Sequence, residues 1–253
     1  AGSVLTRLGN RLNARRHRFA KVERELLESP SPPIVLCLSN YVRQSLLRFY
    51  PLPPDKTPTL FNAIDLNRFD STDHRGGGGA LMIAQDFERK GLRQAIAALA
   101  QVPGVRLTVV GSDEMASYQA QAKPIGAADR VRFAGPTKDP RPFYREADFF
   151  VLPTKHDPCS LVVLEALAMG VPVISTKFNG ACEVMTDGVH GYVLADPLNV
   201  DALAHAMKKM MEPARLAAMS AACVDLRPAL SYDRHLQTLT DIYRQILRHK
   251  SHA

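Results

Sequence analysis

The 253-residue chain is 46% hydrophobic, enough to bury a substantial core, and carries a formal net charge of +7. No apolar run approaches the roughly 20 residues that a membrane-spanning helix needs, and no signal-peptide pattern opens the chain, so a cytoplasmic protein is expected, at most peripheral to the inner membrane. Cys37, Cys159, Cys182 and Cys223 are scattered, with no C-x-x-C pair and no histidine at ligand spacing, which argues against a zinc site and a disulfide framework.

Basic charge gathers at the start, in Arg7, Arg11, Arg15, Arg16, Arg18, Lys21 and Arg24 with His17. Over residues 4–28, Leu5, Leu8 and Leu12, then Phe19, Val22 and Leu26, recur at three- and four-residue steps, which predicts one long helix stopped by Pro30, Pro32 and Pro33. Such a helix either attracts an anionic surface, such as lipid headgroups or a phosphorylated saccharide, or is simply a solvated basic face. Nucleic acid is the weaker candidate, because only Phe19 accompanies the charges and base-stacking aromatics are missing. A short buried strand over 34–38, a helix over 40–49 and a proline-rich surface connection over 50–58 are expected next. The glycines at 76–79 precede a strand rather than opening a helix, and no Gly-Lys-Ser/Thr follows them. They therefore read as a flexible interdomain link and not as a phosphate loop.

From residue 80 strands and helices alternate. A strand over 80–84 leads through Gln85-Asp-Phe-Glu-Arg-Lys-Gly91 to a helix from Leu92, with Ile96 and Leu99 on its inner face. A strand over 105–111, a helix over 114–125, a short strand over 131–133 and a helix over 141–146 follow. The stretch 151–175 holds the end of a buried strand over 149–152, a helix over 161–169 closed by Gly170, and another strand over 171–174. Asp187-Gly188 and Gly191 fit tight turns, residues 199–211 are amphipathic with Leu203, Met207 and Met210 as core, and Leu236, Leu239, Tyr243 and Ile246 give the last helix one apolar face. This alternation predicts an α/β fold with a Rossmann-like, doubly wound parallel sheet, whose ligands bind at the strands' carboxyl ends.

Three features converge on that edge. Arg89 and Lys90 stand just before a helix, where cations are disfavoured unless an anion joins them. Ser160 is a candidate N-cap, leaving the backbone N–H groups of Leu161, Val162 and Val163 aimed at the space beyond the strand, a natural phosphate site. Asp157 and Glu165 flank this helix start with seven residues between them. The set suits a nucleoside diphosphate sugar, with cations and helix start on the diphosphate and Glu165 on the ribose hydroxyls. No Asp-x-Asp motif is present, so fixed charges are expected to do the work of a divalent ion, and neither metal nor cofactor is expected. Cys159 has no general-base histidine matched to it, and His156 is assigned a structural role.

The run D-P-C-S-L-V-V-L-E-A-L-A-M-G-V-P-V resembles the E-x7-E signature of retaining GT-B glycosyltransferases, glycosyltransferase family four, the branch with sucrose synthases, glycogen synthases and bacterial lipopolysaccharide glycosyltransferases. The run D-F-E-R-K-G-L is similar to the lipopolysaccharide core glucosyltransferases within it, and Leu60-Phe-Asn-Ala-Ile-Asp-Leu-Asn-Arg-Phe69 to the segment leading into their second domain, with Ala63 where glycine is usual. The resemblance implies hexose transfer, glucose from UDP-glucose, with retention, onto a saccharide or glycolipid acceptor such as lipopolysaccharide core. It implies Arg89 and Lys90 on the donor diphosphate, Asp157 near the reacting sugar where the family has Glu, backbone of Cys159 and Ser160 on the sugar hydroxyls, and Phe133 and Gly135 near the base. It also implies that residues 1–70 are the remaining part of an acceptor-side N-terminal domain and link, 71–230 the nucleotide-sugar domain, and 231–253 a helix crossing back to the first domain. It further implies that several βα units and a Gly-rich loop would normally precede this point, so that most of the first domain is expected to lie outside this sequence. A nucleotide-sugar-binding module without transferase activity, and a basic membrane- or nucleic-acid-binding protein on this scaffold, remain open alternatives.

Overall fold

The computed structural model describes residues 14–251. Helix α1 (Ala14–Leu27) is the described part of the long first helix, whose expected start lies outside the described residues. The strand expected over 34–38 does not form. Residues in this stretch are extended, with a single bridge from Cys37 to Thr59 and hydrogen bonds from Val35 N to Lys56 O and Cys37 N to Pro58 O. A proline-rich partner offers few N–H groups, so the ladder stops at one rung. Helix α2 (Asn40–Leu47) follows, capped by Ser39, whose hydroxyl accepts from Val42 N at 3.2 Å.

Six strands form one parallel sheet: β1 (Ala80–Ile83), β2 (Leu107–Val110), β3 (Val131–Gly135), β4 (Phe149–Val151), β5 (Val173–Thr176) and β6 (Gly191–Leu194). Their spatial order is β3-β2-β1-β4-β5-β6, with Leu81 opposite Thr108 on one side and Phe150 on the other. Both faces are covered, which is why β4 and β5 are buried along their length and read as continuous apolar runs rather than alternating ones. The crossovers carry α3 (Phe87–Lys90), α4 (Leu92–Ala98), α5 (Ala116–Ala122), α6 (Arg141–Glu146) and α7 (Leu161–Ala168). Beyond the sheet lie α8 (Val200–Met210), α9 (Pro213–Leu226) and α10 (Tyr232–Ser251). Leu203, Met207 and Met210 are buried as expected.

The chain steps outward on both sides from β1 and β4. Strand order therefore reverses between these neighbours, and their following loops diverge to leave a crevice at the carboxyl edge. Lys90 follows β1 and Asp157 follows β4, so the fold itself delivers both to that crevice.

The glycine run before β1 is tied down rather than free. Gly77 N and Gly79 N donate to the Asp148 carboxylate at 2.6 and 2.9 Å, and Gly78 N donates to Glu146 O at 2.7 Å. At Gly78 a Cβ would lie 2.5 Å from Glu146 O and at Gly79 2.6 Å from Arg106 O, so these two glycines supply close approach to α6 and to the segment entering β2. Arg227 anchors the segment before them, donating from Nη1 to Phe69 O at 2.7 Å and to Ala168 O, and from Nη2 to Leu66 O at 3.1 Å. No helix among the described residues is long and apolar enough to cross a membrane.

Candidate active site at the switch point

Asp86, three residues after the end of β1, is the one non-glycine with positive φ (+57°) among the described residues, and it caps α3 through Arg89 N at 3.2 Å. Arg89 and Lys90 stand just before the helix that starts at Leu92, as expected, and they also end a single turn of their own, closed by Gly91. In that position they favour the turn's negative end, so their basic charge needs no anion to explain it. The β4 loop lies directly on this turn. Thr154 Oγ1 and Lys155 N both donate to Arg89 O, at 3.2 and 2.9 Å, and a Cβ on Gly91 would meet Pro153 O at 2.3 Å.

The turn places Lys90 Nζ against Asp157 Oδ2. Their side chains are 12% and 9% exposed, making this the most buried ion pair among the described residues. The two residues expected on diphosphate and donor sugar are thus brought together. Arg89 spends Nε on Asp86 Oδ2 at 2.8 Å and Nη1 on His156 O at 2.7 Å.

Residues 157–160 are gripped from four directions. Asp157 N donates to Phe178 O at 2.9 Å and Gly180 N to Asp157 O at 3.0 Å. Ser39 Oγ donates to Pro158 O at 2.7 Å and Asn62 Nδ2 to Cys159 O at 3.0 Å. Buried Asn179 accepts from Ser160 N at 3.3 Å through Oδ1, and its Nδ2 donates to Ser175 Oγ at 3.1 Å. Ser160 occupies the N-cap position of α7 but makes no side-chain cap, a departure from expectation. The first-turn N–H groups of Leu161, Val162 and Val163 are consequently left without a capping side chain. Ser160 N is engaged by Asn179. The Cys159 N–H has no acceptor among the described residues. Ser39, Asn62 and Asn179 were not identified from sequence, although Asn62 lies within the segment that carried the resemblance.

Glu165 projects from the second turn of α7 and does not share partners with Asp157. Tyr144 OH, fully buried on α6, lies 2.9 Å from Glu165 Oε2 and 3.0 Å from Val162 O. This fixes one carboxylate oxygen and leaves Oε1 for a ligand. Burial raises the Glu165 carboxyl above its usual 4.5, against the opposing pull of the Tyr144 hydrogen bond and the Arg68 charge. Because the native state holds this proton more tightly than the unfolded chain does, ionised Glu165 costs stability above its native pKa, and that cost is relieved as pH falls through it. Acceptance of a vicinal diol runs the opposite way, since only the ionised carboxylate takes two hydroxyl hydrogens. Affinity for a ligand that presents a vicinal diol to Glu165 is expected to fall as pH drops through this raised value, and to lose that inflection in Glu165→Gln; calorimetric titrations between about pH 4 and 8 read the difference.

Phe133 and Gly135 lie on β3, two strands from β1 and hence roughly 10 Å along the same edge. Phe133 is half-buried against the core, whereas Gly135 has φ +75° with open space where a Cβ would stand. Gly135 ends β3, and its carbonyl accepts from Gly111 N at 3.0 Å.

All four cysteines are free and buried. Burial pushes the Cys159 thiol up to about 11 and those of Cys182 and Cys223 to about 12. Native protein at pH 8 is expected to react with a thiol reagent far more slowly than unfolded protein (about a hundredfold), followed by absorbance.

Residues 79–213 match the family described as Glycosyl transferases group 1. The chain is 34% identical over 164 residues to the lipopolysaccharide core biosynthesis glycosyltransferase LpsE of Rhizobium meliloti (strain 1021), covering 64% of this chain and 47% of LpsE. It is 26% identical over 228 residues to the lipopolysaccharide glucosyltransferase WaaG of Escherichia coli (strain K12), covering 82% of this chain and 61% of WaaG. The chain thus spans about half the length of these relatives. A crystal structure of WaaG superposes with TM-score 0.75 at 21% identity, covering 90% of this chain and 69% of that one. One of Anabaena Alr3699/HepE in complex with UDP gives 0.75 at 19%, covering 96% and 69%. These likenesses establish the GT-B architecture.

Proposed function

The chain belongs to the group 1 glycosyl transferases, and we propose that it moves a hexose, glucose, from UDP-glucose with retention onto a saccharide acceptor such as lipopolysaccharide core. The observation that carries this reading is the Lys90–Asp157 pair beside an uncapped α7 start at the switch point. An ammonium has three donors, so Lys90 holds Asp157 and still reaches a phosphate oxygen. The free N–H groups of α7 meet the same diphosphate, and Glu165 Oε1 takes the ribose hydroxyls. As the bond from the anomeric carbon to the diphosphate breaks, these fixed charges and dipoles stabilise the departing anion without reorganising, and a new bond to the acceptor oxygen forms on the same face. The acceptor proton leaves with the released UDP. This account needs no metal ion. Asp157 orients the donor sugar; its reach is about 1.3 Å shorter than a glutamate's, and its tether to Lys90 sets where it points.

The relatives' names support the lipopolysaccharide acceptor, and the UDP complex of HepE supports the donor. Proton NMR of UDP-glucose turnover in the presence of truncated lipopolysaccharide core is the test, with an α-linked product expected and a β-linked one refuting retention. A nucleotide-sugar-binding module without transfer is the second reading, favoured by the commitment of Asp157 to Lys90. UDP binding with no turnover at any acceptor concentration would select it.

The proposal places the protein on the cytoplasmic face of a membrane. Helix α1 exposes Phe19, Val22 and Leu26 by 63, 52 and 52% among basic residues including Lys21 and Arg24. Co-sedimentation with vesicles containing phosphatidylglycerol is expected, with loss at high salt; equal binding to neutral vesicles would contradict it.

A further inference from the structure

Outside the donor crevice, a groove of about 720 Å³ runs between α2 and the loop after β5. Its wall is aromatic: Tyr41 and Phe178 stand edge to face with ring centroids 6.3 Å apart. Its rim is cationic: Arg48 on one side and Lys177 on the other are exposed, and neither has a carboxylate within 4 Å among the described residues. Glu183 also lines it, but both its oxygens are spent on the start of α2, accepting from Asn40 N at 2.8 Å and Tyr41 N at 2.6 Å. The acid there is consumed; Lys177 Nζ stands 5.3 Å from the Phe178 ring centroid, at the rim where ring and cation meet, and pairs with no carboxylate among the described residues.

The groove is joined to the donor site. Tyr41 OH lies 2.6 Å from His156 Nδ1, and His156 precedes Asp157 and gives its carbonyl to Arg89. The exposed imidazole edge therefore sits between groove and crevice, with one residue separating the groove wall from the reacting position.

We propose that this groove binds a phosphorylated saccharide unit of the acceptor, with the sugar against Tyr41 and Phe178 and the phosphate between Arg48 and Lys177. The ring faces bury the apolar side of a pyranose, Gln44 and the His156 edge meet hydroxyls, and the two cations pair with phosphate. A neutral sugar would leave both cations unused, and a bare anion would leave the aromatic wall uncovered. The proposal rests on the transferase reading and adds to it the charge of the acceptor and the face from which it arrives.

Glucose 6-phosphate serves as the probe, titrated into protein saturated with UDP and followed by NMR of the aromatic resonances. Saturable shifts of the Tyr41 and Phe178 rings are expected, with affinity reduced about tenfold in Arg48→Ala and in Lys177→Ala, while the affinity of both variants for UDP stays within about twofold of wild type. Glucose should bind more weakly by a similar factor. Inorganic phosphate that binds as tightly, with the same dependence on both cations, would reduce the groove to an anion patch and overturn the proposal. So would displacement of the sugar phosphate by UDP, or binding indifferent to both substitutions. Failure of UDP itself to bind would instead count against the donor site, which keeps the two failures distinct.

Discussion

Lys90→Met lowers the unfolding free energy by about 3–5 kcal/mol, because it strands the Asp157 carboxylate without its partner in a nearly closed site. The pair is 12 and 9% exposed, so little water reaches either group to replace the lost contact. Asp157→Leu alone should cost a comparable amount by stranding the ammonium. The double variant Lys90→Met/Asp157→Leu is expected to regain most of the stability, since desolvation of two charges disappears together with their attraction. Donor affinity should recover in none of the three. Urea melts of the four proteins, at matched pH and salt, read the coupling directly. Strictly additive losses would mean that the two charges are separately solvated and that their contact is incidental.

Gly180→Ala is expected to cost about 3 kcal/mol and to weaken UDP binding about tenfold. A Cβ there would stand 2.0 Å from Pro158 O, 2.2 Å from Ser39 Oγ and 2.4 Å from Ser39 Cβ. None of these yields cheaply. Pro158 O already accepts from Ser39 Oγ at 2.7 Å, and Ser39 is fully buried at the start of α2. Relief of the clash has to push α2 and the donor loop apart, which breaks the bond from Gly180 N to Asp157 O and disturbs the neighbouring Asn179 bridge to Ser160 N. Gly188→Ala is the contrasting case. Its φ of +77° strains an alanine, but nothing lies within 4 Å, so about 1 kcal/mol of stability should go while UDP affinity stays intact. Thermal denaturation and calorimetry on the two variants separate a packing effect at the loop from ordinary backbone strain.

How much of this was legible in the sequence depends on whether a feature is local. The α7 unit was readable because its strand, loop and helix are consecutive, and α6 was read with its observed bounds, Arg141–Glu146. Strand β5 begins at Val173 and not at 171, because Pro172 has no N–H to give a ladder. Helix α9 escaped because its alanines form a helix by propensity without marking an apolar stripe; only Met219 and Cys223 are buried, although Pro213 at its first position is a start signal. At the site, residue types were visible but their pairings were not. Lys90 meets Asp157 across 67 positions, and Glu183 caps α2 across more than twice that distance. Periodicity carries no information about such contacts. Ser160 reads as a side-chain cap because a serine at a helix start usually is one; its hydroxyl makes no cap bond here, and its backbone N–H separately donates to the buried Asn179 amide.

Under the proposed function, the crevice between β1 and β4 holds a nucleoside diphosphate through Lys90, the α7 start and Glu165. Calorimetric titration of UDP in the presence of a chelator, on wild type, Lys90→Met and Glu165→Ala, tests it most directly. Metal-free binding is expected in wild type, weakened about tenfold to a hundredfold by each substitution, as loss of a charged hydrogen-bonding group costs roughly 1.5–3 kcal/mol. Binding that requires a divalent ion, or that is indifferent to both substitutions, would contradict it.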